Sequence, residues 1–194
     1  MILFFLILVI ASFLSLVIQH FVPPLGPEGV RLILMPLVLF YGALALPFGL
    51  MLVLAFICGL MWDALTVQVI QTGYGPTAAT TVEIALGWSI LLYATLGSVM
   101  SGFKPLFKRG RWEIHCLVSG VCTSLIVLAE FLMLSVRRAA IGNAPFVFNH
   151  DIWWRIGGPG VLALLLAPVV FFVLNSFAAL VGYNPRKVDR EEEL

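Results

Sequence analysis

From Leu32 to Trp62 the chain carries no charged side chain. A segment of that length offers no polar face to turn to water, so it must be buried in protein or in lipid. Further unbroken apolar runs occupy 1–18 and 161–173. Overall, 61% of the residues are hydrophobic and 11% are charged, against about 25% charged in soluble domains. Lipid is therefore the expected solvent. Inside lipid every backbone N–H and C=O needs an internal partner, which leaves helices or closed barrels. Barrel strands show short alternating runs, whereas these runs are long and continuous. The expected class is an all-α integral membrane protein.

About twenty apolar residues cross the hydrocarbon core. Six segments are expected to do so, at about 1–21, 30–46, 48–66, 81–101, 113–136 and 152–182. The first lacks a basic leader and a small-residue cleavage site, so it reads as a retained helix. Pro23-Pro24 with Gly26-Pro27 ends it, and the stretch from Gln71 to Thr77 separates the third from the fourth. Only Pro47-Phe48-Gly49 signals a turn between the second and third. That pair is either two short tilted spans or a partly re-entrant hairpin, and two spans are expected. Gly157-Gly158-Pro159-Gly160 marks a candidate interfacial turn before the last span. The polytopic membrane domain is expected over 1–182, with a polar, solvated tail over 183–194.

Lys and Arg in the connecting loops set orientation. In a six-helix chain Lys104, Lys108, Arg109, Arg111, Arg186, Lys187 and Arg190 share one side, and Arg31, Arg137, Arg138 and Arg155 fall on the other. The excess places both termini in the cytoplasm and makes Lys104, Lys108, Arg109 and Arg111 a cytoplasmic basic loop.

Several function classes drop out. A net charge of +1 provides no nucleic-acid surface. Cys58, Cys116 and Cys122 all lie in apolar runs, as small buried hydrophobes do, and form neither a disulfide framework nor a zinc site. His20, His115 and His150 are too scattered to form a ligand cluster. The chain has no H-E-x-x-H, no Gly-x-Ser-x-Gly and no Gly-rich phosphate loop. Ser101 and Ser119 lack an evident partner base. No catalytic, metal or cofactor site is expected.

The informative acids are few. An ionised Asp costs about 2.5–3.5 kcal/mol at mid-bilayer, and less toward the interface. Asp63 follows Ala55 and Gly59 at i, i+4, i+8, so the three share a helical face on which another helix can approach closely. They form a candidate polar and packing anchor, to a neighbouring helix or to a partner protein. The alternative is an acid reaching the interface, and at a helix C-terminus the dipole disfavours an anion. Thr80-x-x-Glu83 matches a capping box, so Glu83 is expected to cap the fourth helix. Glu130 is expected to pair with Arg137-Arg138. Glu83 and Glu130 are both candidate extracytoplasmic acids, and with Asp63 would lie toward one membrane face. Ala94, Ser98 and Gly102, with Gly97 and Ser101, are close-packing positions. Trp112, Trp153 and Trp154 fit an interfacial aromatic belt.

The order of motifs resembles the MreD family, small multi-helix membrane proteins of the bacterial rod-shape system. The likeness is carried by Leu16-Val17-Ile18-Gln19 before Pro23, by Leu39-Phe40-Tyr41-x-x-Leu44-Ala45-Leu46-Pro47, by Gly59-Leu60-Met61-Trp62-Asp63, by Ala129-Glu130-Phe131-Leu132, and by Pro168 in the closing helix. Family members often place polar or basic residues after the Leu-Pro, where this chain has Phe48-Gly49-Leu50. The resemblance implies a non-enzymatic inner-membrane scaffold for lateral peptidoglycan synthesis. Its implied partners are MreC, RodA with a class B penicillin-binding protein, MreB indirectly, and membrane lipid. It also implies a fold similar to the substrate-binding subunits of energy-coupling-factor transporters. A small-molecule-binding transport subunit of that type is the alternative function.

Overall fold

The computed structural model describes residues 1–26, 29–65, 69–72, 79–82, 87–105, 112–140 and 150–183. Its helices are α1 (Ile2–Phe21), α2 (Met35–Ala45), α3 (Phe48–Leu65), α4 (Trp88–Gly102), α5 (Trp112–Ala140) and α6 (His150–Leu180). A small antiparallel ribbon of β1 (Val69–Thr72) and β2 (Ala79–Val82) joins α3 to α4. Among the described residues four helical segments are long and apolar enough to cross a membrane: Ile2–Phe21, Phe48–Leu65, Glu113–Val136 and Ile152–Leu180. The protein is thus a multi-pass helical membrane protein.

Two of the six expected spans are shorter than the hydropathy suggests. The second, expected over 30–46, is helical only from Met35 to Ala45. Pro36 opens it, where a missing N–H costs nothing. Pro47 closes it by forcing Leu46 into extended backbone (φ −96°, ψ 155°). At 1.5 Å per residue α2 is about 16 Å long, half the hydrocarbon core. All of its residues are buried. It is apolar on every side because every side meets protein.

The fourth span, expected over 81–101, begins only at Trp88. Gly87 precedes it in the left-handed region (φ +100°), where a helix cannot continue upstream. Thr80 sits in β2 opposite Gln71 and is therefore not a helix cap. The turn expected at 157–160 is absent, for α6 runs through Pro159 and Pro168.

The helices close on one another through small residues. A Cβ on Gly59 would stand 2.5 Å from the Cα of Ile90, so α3 and α4 touch backbone to backbone. A Cβ on Gly120 would stand 2.9 Å from the carbonyl oxygen of Gly160, which brings α5 and α6 equally close. Gly97 meets the Met51 sulfur on α3. In α1, Ser12 returns its hydroxyl to the Leu8 carbonyl and accepts from the Cys58 thiol of α3 at 3.4 Å. Among these helices the aromatic core of Phe4, Tyr41 and Phe171 joins α1, α2 and α6.

One end of the bundle gathers Met1, the α2–α3 turn, the end of α4 and the end of α6. There the last carbonyls of α2 find donors from distant segments. The Tyr183 hydroxyl donates to Ala45 at 2.7 Å, and the Lys104 ammonium donates to Leu46. Tyr183 also stacks on Phe4, with centroids 4.5 Å apart. Assigned to the solvated tail by sequence, Tyr183 is in fact buried and belongs to the membrane domain. Lys104 is correspondingly a half-buried helix cap and not a free loop charge. Cations and donors are favoured at a helix C-terminus, which explains both residues. Tyr183→Phe is expected to cost about 1–2 kcal/mol by stranding the Ala45 carbonyl; a lower thermal midpoint in detergent is the measurable result. Lys104→Glu is expected to destabilise more than Lys104→Met, because it sets a carboxylate against carbonyl oxygens; the order of the two midpoints checks this.

Candidate functional site

At the opposite end of the bundle the helices splay around a cavity of about 740 Å³. Its walls are the last turn of α1 with the chain that follows, the end of α3, the middle of α5 and the first turns of α6. This space exists because α2 is short. The described residues between α1 and α2 form no helix, and Leu25 and Val30 pair with each other. Irregular backbone at membrane depth is tolerated where it is buried in protein or lines a polar space. Gly29, Arg31, Leu32 and Ile33 line this one. The Leu34 N–H, at the start of α2, is satisfied by the side-chain oxygen of Gln19 at 3.0 Å. Val30 seats this segment on α6: a Cβ on Gly158 would stand 2.6 Å from its methyl carbon. Pro159, on the cavity wall, has no N–H to give to the carbonyl of Arg155 one turn earlier.

The floor of the cavity carries Trp62 and Glu130. The Trp62 indole N–H donates to the Glu130 carboxylate, and Asp63 lies close enough to act on it electrostatically. Oε1 of Glu130 is buried and has no hydrogen-bond partner among the described residues. Tyr93, edge-on to Trp62 at 6.4 Å, likewise has a buried hydroxyl without a partner among them. Arg31 and Arg155 also line the cavity, with exposed side chains that have no ion-pair partner among the described residues.

Asp63 is buried and faces α4, where its carboxylate accepts the Gly87 N–H at 2.5 Å. An anion that its own helix dipole disfavours thus sits at the N-terminus of the next helix, where it is favoured. The bond reproduces half of a capping box, with the acid supplied from another helix. Ala55 and Gly59 share this face, and Gly59 abuts Ile90. The small-residue face therefore anchors a neighbouring helix of the same chain.

Of the other expected site residues, Glu83, Lys108, Arg109 and Arg111 lie outside the described residues. Glu130 is bonded to Trp62 of α3, which no local spacing to Arg137-Arg138 would suggest. Sequence reasoning missed Arg31, Arg155 and Gln19 as cavity residues, having used the arginines only to orient the chain. The signal was there in part: Gln19 and Arg31 bracket a Pro- and Gly-rich break, a pattern typical of chain that re-enters a membrane domain.

Compared with models of known protein families, with curated proteins and with solved structures, the chain finds no match.

Proposed function

We propose that the protein is a non-enzymatic membrane scaffold of the rod-shape type, with MreD-like partners: MreC, RodA with its class B penicillin-binding protein, and MreB indirectly. In this reading it lies in a bacterial inner membrane with both termini and the Lys104 end in the cytoplasm. The chain then makes six passes, two of them on the short helices α2 and α4.

The observation that supports the reading is where the resembling segments fall. Leu39-Phe40-Tyr41 and Leu44 to Leu46 form the buried half-helix. Gly59 to Asp63 form the α3–α4 seam. Glu130 and Trp62 meet at the cavity floor. The likeness thus covers residues that build the interior of a helical membrane unit. The outer faces of α1 (Leu6, Ile10, Phe13) and α6 (Val161, Leu165, Phe172) are apolar and exposed, as lipid or partner helices require.

The test is a mild-detergent pulldown of the tagged full chain with partners identified by mass spectrometry. Recovery of MreC or the polymerase pair supports the scaffold. Asp63→Leu is not a suitable contact probe, because it removes the cap of α4; substitutions on the outer faces of α1 and α6 are. Failure to recover any of these partners from a cell that uses them sinks the reading.

The cavity favours a second reading, a small-molecule-binding subunit of the energy-coupling-factor type. Its volume falls in the range of about 300–1,000 Å³ usual for ligand sites. A saturable rise in thermal midpoint with a vitamin from a panel supports it, since ligands that bind only the folded state stabilise by mass action. No rise across the panel, together with no coupling ATPase in the pulldown, removes it.

A further inference from the structure

The cavity opens between the last turns of α1 and α3 and the first turns of α6, with the middle of α5 behind it, so its mouth is expected at the level of the lipid headgroups. We propose that the cavity binds the headgroup of an anionic glycerophospholipid, with Arg31 and Arg155 holding the phosphate and a glycerol hydroxyl donating to Glu130. This rests on the cavity alone and stands or falls independently of the scaffold reading.

The charge balance selects the sign of the ligand. Among the described residues of the lining two arginines stand against one glutamate, an excess of one cationic group. A phosphodiester carries one negative charge and neutralises it, and guanidinium forks match phosphate geometry. A phosphocholine or phosphoethanolamine headgroup is zwitterionic and leaves the excess in place, while adding an ammonium beside two arginines.

The hydrogen-bond balance selects a headgroup with a donor. One part of the Glu130 carboxylate is held by the Trp62 indole, while Oε1 lacks a partner among the described residues. A buried acceptor of this kind calls for a donor, and a glycerol hydroxyl supplies one. Gln19 adds a further polar side chain to the wall.

The rim selects a lipid over a soluble phosphate. Phe21 and Leu65 line the cavity and stay 84% and 51% exposed. At the end of a membrane helix these side chains form an apolar lip on which acyl chains can lie.

The experiment titrates the purified full chain in neutral detergent with dihexanoyl phosphatidylglycerol, dihexanoyl phosphatidylcholine and glycerol 3-phosphate, reading thermal midpoint and tryptophan fluorescence. Phosphatidylglycerol is expected to bind saturably and the other two at least about tenfold more weakly. Arg31→Gln and Arg155→Gln are each expected to weaken it by about tenfold. Both side chains are exposed, so the ligand-free midpoint should not move, and that control shows the variants are folded. Equal binding of phosphatidylcholine, or arginine variants that bind as the native chain does, overturns the proposal. Binding of glycerol 3-phosphate as tight as that of the lipid also overturns it, in favour of a soluble phosphate compound.

Discussion

Gly59→Leu is expected to yield a chain that still inserts into the membrane but does not hold α3 against α4. The Cβ position of Gly59 lies 2.5 Å from the Cα and 2.7 Å from the backbone nitrogen of Ile90. Backbone cannot rotate aside as a side-chain tip can. In lipid, helix association depends on such close contact and lacks a hydrophobic drive between apolar faces. Even Gly59→Ala should cost about 1–3 kcal/mol by overpacking, and Leu more, since the helices must separate. Far-ultraviolet circular dichroism should stay close to native while the cooperative thermal transition moves down for Ala and is lost for Leu. A native midpoint for Gly59→Leu would mean that α3 and α4 do not touch at this point.

Asp63→Leu is the second large effect, and it differs in kind. The substitution keeps the number and branching of side-chain heavy atoms, with methyls in place of oxygens, and removes the acceptor for the Gly87 N–H at the head of α4. The stranded donor costs about 1–3 kcal/mol, and the first turn of α4 loses a favourable charge worth up to about 1 kcal/mol more. Asp63→Asn keeps an oxygen in the same place and should recover most of the bond but not the charge. The expected order of thermal midpoints is native, then Asn, then Leu. Hydrogen exchange should rise first at Gly87 and Trp88 in the Leu variant. Equal midpoints for Asn and Leu would show that the Gly87 bond carries none of the effect.

The four long helices were legible because length and hydropathy alone define them, and those of α1 and α3 end within a residue or two of the expected places. Pro47 was equally readable, since its steric effect on Leu46 is local. Partners supplied from a distance were not legible. Thr80-x-x-Glu83 has the spacing of a cap, yet Thr80 lies in β2 and the Gly87 N–H at the head of α4 is bonded to Asp63, which lies 24 residues before it in the chain. Nothing in a local pattern distinguishes the two. The same holds for Lys104 and Tyr183, which looked like a loop charge and the start of a tail, and which cap a helix 58 and 138 residues away from them in sequence. The cavity was hidden for a related reason. Arg31 and Arg155 line one cavity only because a short α2 leaves irregular chain beside α6, and hydropathy averaged over a window reads 30–46 as one continuous helix.

The half-helix α2 has a consequence for how the protein comes into being. It leaves the ribosome second, yet the residues that cover it, Phe171 and Tyr183, belong to the sixth helix and its end. Shorter than the hydrocarbon core is thick and with no side of its own for lipid, α2 has no settled place until most of the chain has been synthesised. The early helices must wait as loosely associated guests of the insertion machinery, and closure around α2 is a late event that commits the whole domain at once. A chain halted before α6 would expose to lipid the very segment that the finished protein never lets lipid touch.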